Sequence, residues 1–413
     1  MNKARLVLES PETASGTVRL AATLTHGNGW VDRLWWKLPE SWMPALTPWS
    51  DPFVVALTFP MMQGGAPVHV EGRVSPSLLA NLDLFMRIWH VWAPDRYRPV
   101  SITAAEEVEL PPAERPSVAI ASFSCGVDSS FTVFRHKRGL AGRRTREIGA
   151  GVLQHGFDVW QSQPNSQGVF EGMLAGARTM LDSLDLPCIP LATNFQEMRL
   201  DWADAWGTQI VGGLALFAAR FDTALVANDL PYSWLGTPWA SHPATAPYLG
   251  SRGFTVIDDG GECMRTEKAA VIADWPEAMR NLHVCFGAEV PGVYENCCRC
   301  EKCIRTILAF RIAGRGQPSS FKYDVSDEQI RRVRLMHANK QLRWEQLATA
   351  AAAAGFGGTG WAKAVRAVLR KTRYRALRRR VQRPFVPLRN RIRSIVRGSP
   401  LSRSELARRS IGP

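Results

Sequence analysis

Over residues 1–111, short stretches rich in β-formers recur between Gly and Pro signals: Arg5 to Leu8, Val18 to Leu24, Arg33 to Leu38, Phe53 to Phe59 and Ala66 to Val74. Each is predicted to be a strand. Ser75 to Trp92 changes to helical spacing, with Ser75 at the N-cap and Pro76 at the first helical position. The pattern predicts a small α+β domain over residues 1–113, ending near Pro111-Pro112. Its Trp30, Trp35, Trp36, Trp42, Trp49, Trp89 and Trp92 are expected in core and interface, where large rings bury the most area.

From Pro116 the pattern alternates between strands and helices. An apolar strand around Val118, Ile120 and Phe123 is followed by strands at Gly151 to Gly156, Cys188 to Ala192, Leu225 to Asn228 and Phe254 to Asp258. Helical stretches fall at Phe170 to Leu184, Glu197 to Arg220 and Thr266 to Arg280. This predicts an α/β domain over residues 114–315, a parallel sheet with helices on both faces. A helical extension (316–362) and a basic tail (363–413) follow. Ligands of such sheets sit beyond the strand C-termini, which singles out His155, Asp158, Asn194, Asn228, Asp229, Asp258 and Asp259. Asn194 is expected to cap the next helix, with Glu197 as its partner at N3 and Arg199 behind. The loop from Tyr232 to Tyr248, with Trp234, Trp239 and His242, is long enough to be a lid or acceptor site.

With 413 residues, 46% of them apolar, the chain exceeds one typical core. It has no run of eighteen apolar residues, so no membrane span is expected, and a cytoplasmic location is. The net charge of +14 is concentrated. Lys363 to Arg409 holds 17 Lys and Arg against Glu405 alone, a charge of +16, which leaves −2 for the remainder. Such a run is either a solvated end or a surface for RNA, DNA or anionic lipid.

Two segments carry chemistry. In Ser117 to His136 a buried strand runs through Ser124 to Ser130 into a helix, so backbone N–H groups and the helix dipole face whatever occupies the loop. No Lys of the Walker pattern is present. In the second segment, five of the eight cysteines lie between Cys285 and Cys303. Cys297, Cys300 and Cys303 form C-x2-C-x2-C, with Cys285 expected at a strand end before them and Cys298 facing elsewhere. Four thiolates at this spacing suit tetrahedral Zn²⁺. A disulfide framework competes, and the lack of a secretory signal favours zinc.

The loop Ser124-Cys125-Gly126-Val127-Asp128-Ser129-Ser130 closely resembles the S-G-G-x-D-S-[ST] loop of the ATP pyrophosphatase (PP-loop) superfamily. Together with the cysteine run, residues from about Ser117 to Ala313 resemble the QueC family, the 7-cyano-7-deazaguanine synthases. The resemblance implies an adenine nucleotide alpha hydrolase-like fold and an ATP-dependent C–N ligase. Such an enzyme adenylates a carboxylate or amide acceptor, releases diphosphate, and uses ammonia to displace AMP. It implies that Ser124, Gly126, Ser129 and Ser130 surround the ATP phosphates, that Asp128 lies near Mg²⁺ or orients the loop, and that His155-Gly156 meets the adenosine. Arg265 and Lys268, in RTEKAAVIAD, are similar to the superfamily's late cationic segment, which contacts the phosphates. The zinc of Cys285, Cys297, Cys300 and Cys303 is expected to be structural. Cys125 stands where the family has Gly, and a Cβ costs about 1 kcal/mol or more if that backbone needs positive φ. Alternatives within the resemblance are a QueC-like component of an anti-phage system modifying a protein or nucleic acid, a tRNA-thiolating enzyme, and a non-catalytic nucleotide-binding partner.

Overall fold

The computed structural model describes residues 3–111, 117–157, 159–198, 200–285 and 294–382; Asp158, Arg199 and the basic tail beyond residue 382 lie outside the described residues. The chain divides into two compact units, Met1–Val325 and Ser326–Pro413.

The first half of unit 1 contains β1 (Ala4–Leu8), β2 (Glu12–Ala14), β3 (Thr17–Thr25), β4 (Val31–Pro39), α1 (Asp51–Ala56), α2 (Thr58–Gly64), β5 (Val68–Val74), α3 (Pro76–Trp92) and β6 (Ile102–Glu107). Phe53 to Phe59, expected as a strand, is instead helical in α1 and α2. Every residue from Asp51 to Met62 is buried, so no polar alternation separates helix from strand there, and Pro52 at the start of α1 favours the helix. Gly212, in the helix Trp202–Ala215, permits close packing on α1: a Cβ there would lie 2.7 Å from the Pro52 carbonyl oxygen. Ser75 occupies the N-cap position of α3, but its side chain does not cap the helix. Its hydroxyl donates to the buried Asp51 carboxylate at 2.6 Å and accepts the Leu110 N–H at 3.1 Å. Burial pushes the Asp51 pKa up to about 6. Trp36 and Trp89 are fully buried and Trp30 is 55% exposed.

The second half contains β7 (Ala119–Ser122), α4 (Val127–Lys137), β8 (Ile148–His155), α5 (Ser166–Asp182), β9 (Cys188–Thr193), α6 (Trp202–Ala215), β10 (Thr223–Ala227), β11 (Thr255–Asp259), α7 (Arg265–Ile272), α8 (Pro276–Asn281) and α9 (Glu301–Ile312). Its five strands are all parallel, in the order β11-β10-β7-β8-β9. The chain starts at the centre, builds β8 and β9 on one side, then crosses to β10 and β11. The reversal of direction falls between β7 and β10, where doubly wound sheets open a crevice.

The two halves share one sheet. β4 pairs antiparallel with β9, Trp36 opposite Thr193 and Lys37 opposite Ala192, giving eleven strands in a mixed, mostly parallel α/β sheet. Beyond Thr193 the Asn194 side chain continues this pairing. Its amide oxygen accepts the Trp35 N–H at 2.9 Å and its NH₂ donates to the Arg33 carbonyl at 2.8 Å. Asn194 stands before the short 3-10 turn Phe195–Met198 and its NH₂ also meets Glu197 at 3.3 Å, the partner expected for it; its amide oxygen accepts from β4 rather than from that turn, because β4 presents unpaired backbone at that point.

Unit 2 contains α10 (Asp327–Arg332), α11 (Ala338–Ala353) and α12 (Gly360–Gln382). Ser326 and Gln329 form a reciprocal capping box at the start of α10, and Trp344, Leu347, Val365 and Val368 are buried.

Asn194→Ala is expected to leave the Trp35 N–H and Arg33 carbonyl without their partner and to cost about 1–3 kcal/mol. Urea unfolding should show a lower midpoint at unchanged slope; an unaltered midpoint would mean that the backbone pairs alone hold the two halves together.

Candidate active site and metal centre

The Ser124 to Ser130 loop leaves β7 at the sheet's reversal point and enters α4, whose N-cap is Gly126. Cys125 takes φ +59°, the left-handed region that favours Gly. Its side chain is buried in the core beside Phe123 and Val133, and burial raises its thiol pKa. The loop is internally bonded. The Ser124 N–H donates to Ser129 Oγ at 3.1 Å, the two hydroxyls lie 3.2 Å apart, and Ser129 Oγ donates to the Gly126 carbonyl at 3.3 Å. Ser124 is exposed, Gly126 and Asp128 are half-buried, and the Ser130 hydroxyl is buried.

Asp128, in the first turn of α4, receives two cations from α7. Arg265 Nη1 lies 2.6 Å from one carboxylate oxygen and Lys268 Nζ 3.0 Å from the other. Cations at a helix start oppose its dipole, and Asp128 is the compensation. Lys268 is 3% exposed and also donates to the Asn228 carbonyl at the end of β10. Arg265 Nη2 reaches Thr306 Oγ1 on α9 at 3.3 Å. The three charges leave one net positive charge beside the loop, suited to an anion.

At the end of β11 two adjacent carboxyls are driven apart. Burial pushes Asp258 up to about 7, against the Asn228 hydrogen bond and the Lys268 charge. Asp259 is buried too, yet hydrogen bonds from His136 and Arg135 outweigh burial and hold it below the usual carboxylate range. Thr132 Oγ1 donates to Asp259 at 2.8 Å. Because His136 Nδ1 accepts the Arg146 N–H at 2.9 Å, the ring proton sits on Nε2 and points at Asp259. Thr132, Arg135 and His136 had no role in the sequence reading. Their one signal is that Thr132, Arg135 and His136 share i, i+3 and i+4 spacing on α4, between Phe131, Val133 and Phe134.

At the end of β8, the His155 ring stacks on Phe170 at 4.3 Å and its Nε2 lies 2.7 Å from Ser166 Oγ; burial lowers its pKa. Gly156 has φ +108°, and a Cβ there would sit 2.1 Å from the Thr193 carbonyl oxygen, so only Gly fits. Its N–H donates to the Val159 carbonyl at 3.1 Å. In the Tyr232 to Tyr248 loop, Trp234 and His242 are buried. His242 spends both ring nitrogens inside the loop, on the Leu235 carbonyl and the Ala244 N–H, and Trp239 donates to Asp229 at 2.7 Å. A cleft of about 550 Å³ is lined by His26, Trp30, Asp32, Trp35, Asn194 and Glu197.

The cysteines converge as their spacing predicts. The sulfurs of Cys285, Cys297, Cys300 and Cys303 all lie within 4.8 Å of one another, with Cys285 to Cys300 at 4.0 Å and Cys297 to Cys303 at 3.9 Å. A ZnS₄ tetrahedron with bonds of about 2.3 Å has edges of about 3.8 Å, so the set fits such an ion; disulfide bonding needs about 2.05 Å, and all eight cysteines are free. The Cys300 and Cys303 N–H groups point at the sulfurs of Cys297 and Cys300 at 3.3 and 3.5 Å, an arrangement that supports thiolates. Cys285 precedes the cluster in irregular backbone rather than at a strand end. Cys298 takes φ +56° and turns its sulfur to the Asn296 carbonyl. The centre also braces the loop: the His283 N–H, two residues before Cys285, donates to the Cys125 carbonyl at 2.9 Å, and α9, which begins beside Cys300, carries Thr306 to Arg265.

No family model, curated protein or solved structure matches this chain.

Two outcomes follow from this geometry. The purified chain should hold one zinc, lost in the Cys297→Ser and Cys303→Ser variants by elemental analysis, and chelation should speed amide exchange around Cys125. Zinc retained by both variants would place the metal elsewhere. For Asp258, a folded-state pKa raised above the unfolded carboxylate value means that its contribution to stability is fully present below about pH 4 and lost as pH rises through about 7. Asp258→Asn should therefore raise the urea midpoint at alkaline pH and change it little at pH near the unfolded carboxylate value, whereas a difference independent of pH would remove this carboxyl as the cause.

Proposed function

We propose that the chain is an ATP-dependent, AMP-forming C–N ligase of the ATP pyrophosphatase kind, similar to the QueC family. The observation that carries this reading is the position of the Ser124 to Ser130 loop: at the reversal point of the sheet, at a helix start, with Arg265 and Lys268 delivered to its Asp128 by a different helix. A loop without its own Lys needs outside cations to balance charge developing on a leaving diphosphate, and α7 supplies two. ATP, with Mg²⁺, would provide the adenylyl group and the leaving diphosphate.

The residues of the chain then divide the work. Ser124, Gly126, Val127, Ser129 and Ser130 cradle the diphosphate through hydroxyls and the α4 N-terminus. Asp128 holds Arg265 and Lys268 in place until the phosphates compete for them, and Cys125 sets the turn. His155 and Gly156 shape the neighbouring wall where the adenosine would rest. A carboxylate or amide oxygen of the acceptor attacks the α-phosphorus, the bond to the diphosphate breaks, and ammonia displaces AMP from the adenylated acceptor with release of a proton. The four cysteines, closed around a tetrahedral ion, leave no open position for a water and serve the fold. A thiolating enzyme needs free catalytic thiols, and four cysteines grouped for a metal, with Cys125 buried, favour this ligase instead.

The test is product analysis by mass spectrometry after incubating the zinc-loaded protein with MgATP, ammonium and 7-carboxy-7-deazaguanine. AMP with the amide or nitrile is expected. Lys268→Ala and Asp128→Ala should each lower AMP formation by on the order of 10²-fold or more while far-UV circular dichroism is unchanged; undiminished AMP formation in both would remove the loop from the mechanism. AMP without a modified deazaguanine would keep the ligase and change the acceptor.

A further inference from the structure

The proposed ligase does not use α12, and that helix is unlike the others. Among the described residues its buried ones, Trp361, Ala362, Ala364, Val365, Val368 and Leu369, recur at helical spacing and stop at Leu369. The helix continues to Gln382, about 20 Å further. Within that overhang Arg370, Lys371, Arg373, Tyr374, Arg375, Leu377 and Arg378 are exposed. The whole of α12 contains nine cations, seven of them Arg, and no Asp or Glu.

Such a stretch is costly for a helix by itself. Arg366 and Arg370, and Lys371 and Arg375, stand four residues apart as like-charge pairs, which oppose helix formation. Among the described residues, Arg373 has an ion pair, with Glu345 at 2.9 Å. We propose that the exposed half of α12 is a docking surface for the phosphodiester backbone of a nucleic acid. Five cations over about 12 Å of helix meet a duplex that carries one phosphate charge per about 1.7 Å. Arg predominates over Lys, and its planar fork matches phosphate oxygens in pairs. Among the described residues of the overhang, two exposed apolar-bodied side chains, Tyr374 at 67% and Leu377 at 61%, are too few for the apolar face that a membrane-surface helix buries, while Tyr374 can stack on an exposed base.

The experiment compares the full chain with an Arg370→Ala/Arg375→Ala/Arg378→Ala variant. All three positions are exposed, and Ala favours the helix, so the fold is kept; circular dichroism checks this. Binding to a random-sequence duplex DNA, to a single-stranded RNA and to phosphatidylserine-containing vesicles is measured across a salt series. The full chain is expected to bind DNA or RNA, and the variant should bind more weakly, on the order of tenfold or more. For duplex DNA, the slope of log K against log salt should shrink by roughly 2.7, from 0.9 per phosphate contact; for RNA, by about 2.1. The two nucleic-acid arms tell which polymer is bound. An unchanged slope in the variant, or binding to vesicles with none to either nucleic acid, overturns the proposal.

Discussion

Lys268 carries its ammonium into a place where only 3% of the residue meets solvent, and an unpartnered ion there would cost several kcal/mol. Its partners come from two other elements: Asp128 from the first turn of α4 and the Asn228 carbonyl from the end of β10. Satisfying one buried charge therefore fixes three elements at the mouth of the loop. Arg265 extends the arrangement to α9 through Thr306. The helix that brings the cations, the strand that ends beneath them and the loop they face form one electrostatic unit.

A second layer of charge lies behind this one. Asp259 is held ionised by Arg135 and His136 from α4, while its neighbour Asp258 is pushed towards the neutral form by burial. The two carboxyls are adjacent in the chain but point to opposite faces of β11, as the period of a strand requires. One ties β11 to α4 and the other faces Asn228 and Lys268. Such divergence between neighbouring acids is what burial and specific donors produce when a sheet edge is built to hold charge.

The four-cysteine cluster, which could hold a metal ion, adjoins the same unit. The segments flanking its sulfurs touch the loop at the Cys125 carbonyl and reach Arg265 of α7 through Thr306. This matters because Cys125 is in a left-handed conformation with a Cβ, and its surroundings must hold it there. Burial of its side chain and the hydrogen bond from His283 do so.

Much of this was legible locally. The run of strands and helices after Pro116, the polar loop at a helix start, and Cys297, Cys300 and Cys303 at matched intervals are short-range patterns, and short-range patterns are decided by backbone sterics and ligand spacing. Sequence period failed at Phe53 to Phe59, where burial on all sides erased the polar positions that distinguish strand from helix. It placed Ser75 and Asn194 at the starts of the next helical segments but not the longer-range bonds of their side chains, to Asp51 and to the backbone of β4. Only the tertiary structure decided that β4 pairs with β9 and joins two apparent domains into one sheet, and that Asp128 receives Arg265 and Lys268 from more than 130 residues away. The reason is physical: the sequence by itself determines which residues can bond and which local shapes are cheap, whereas the choice among distant partners rests on burial that exists only once the whole sheet has closed around them.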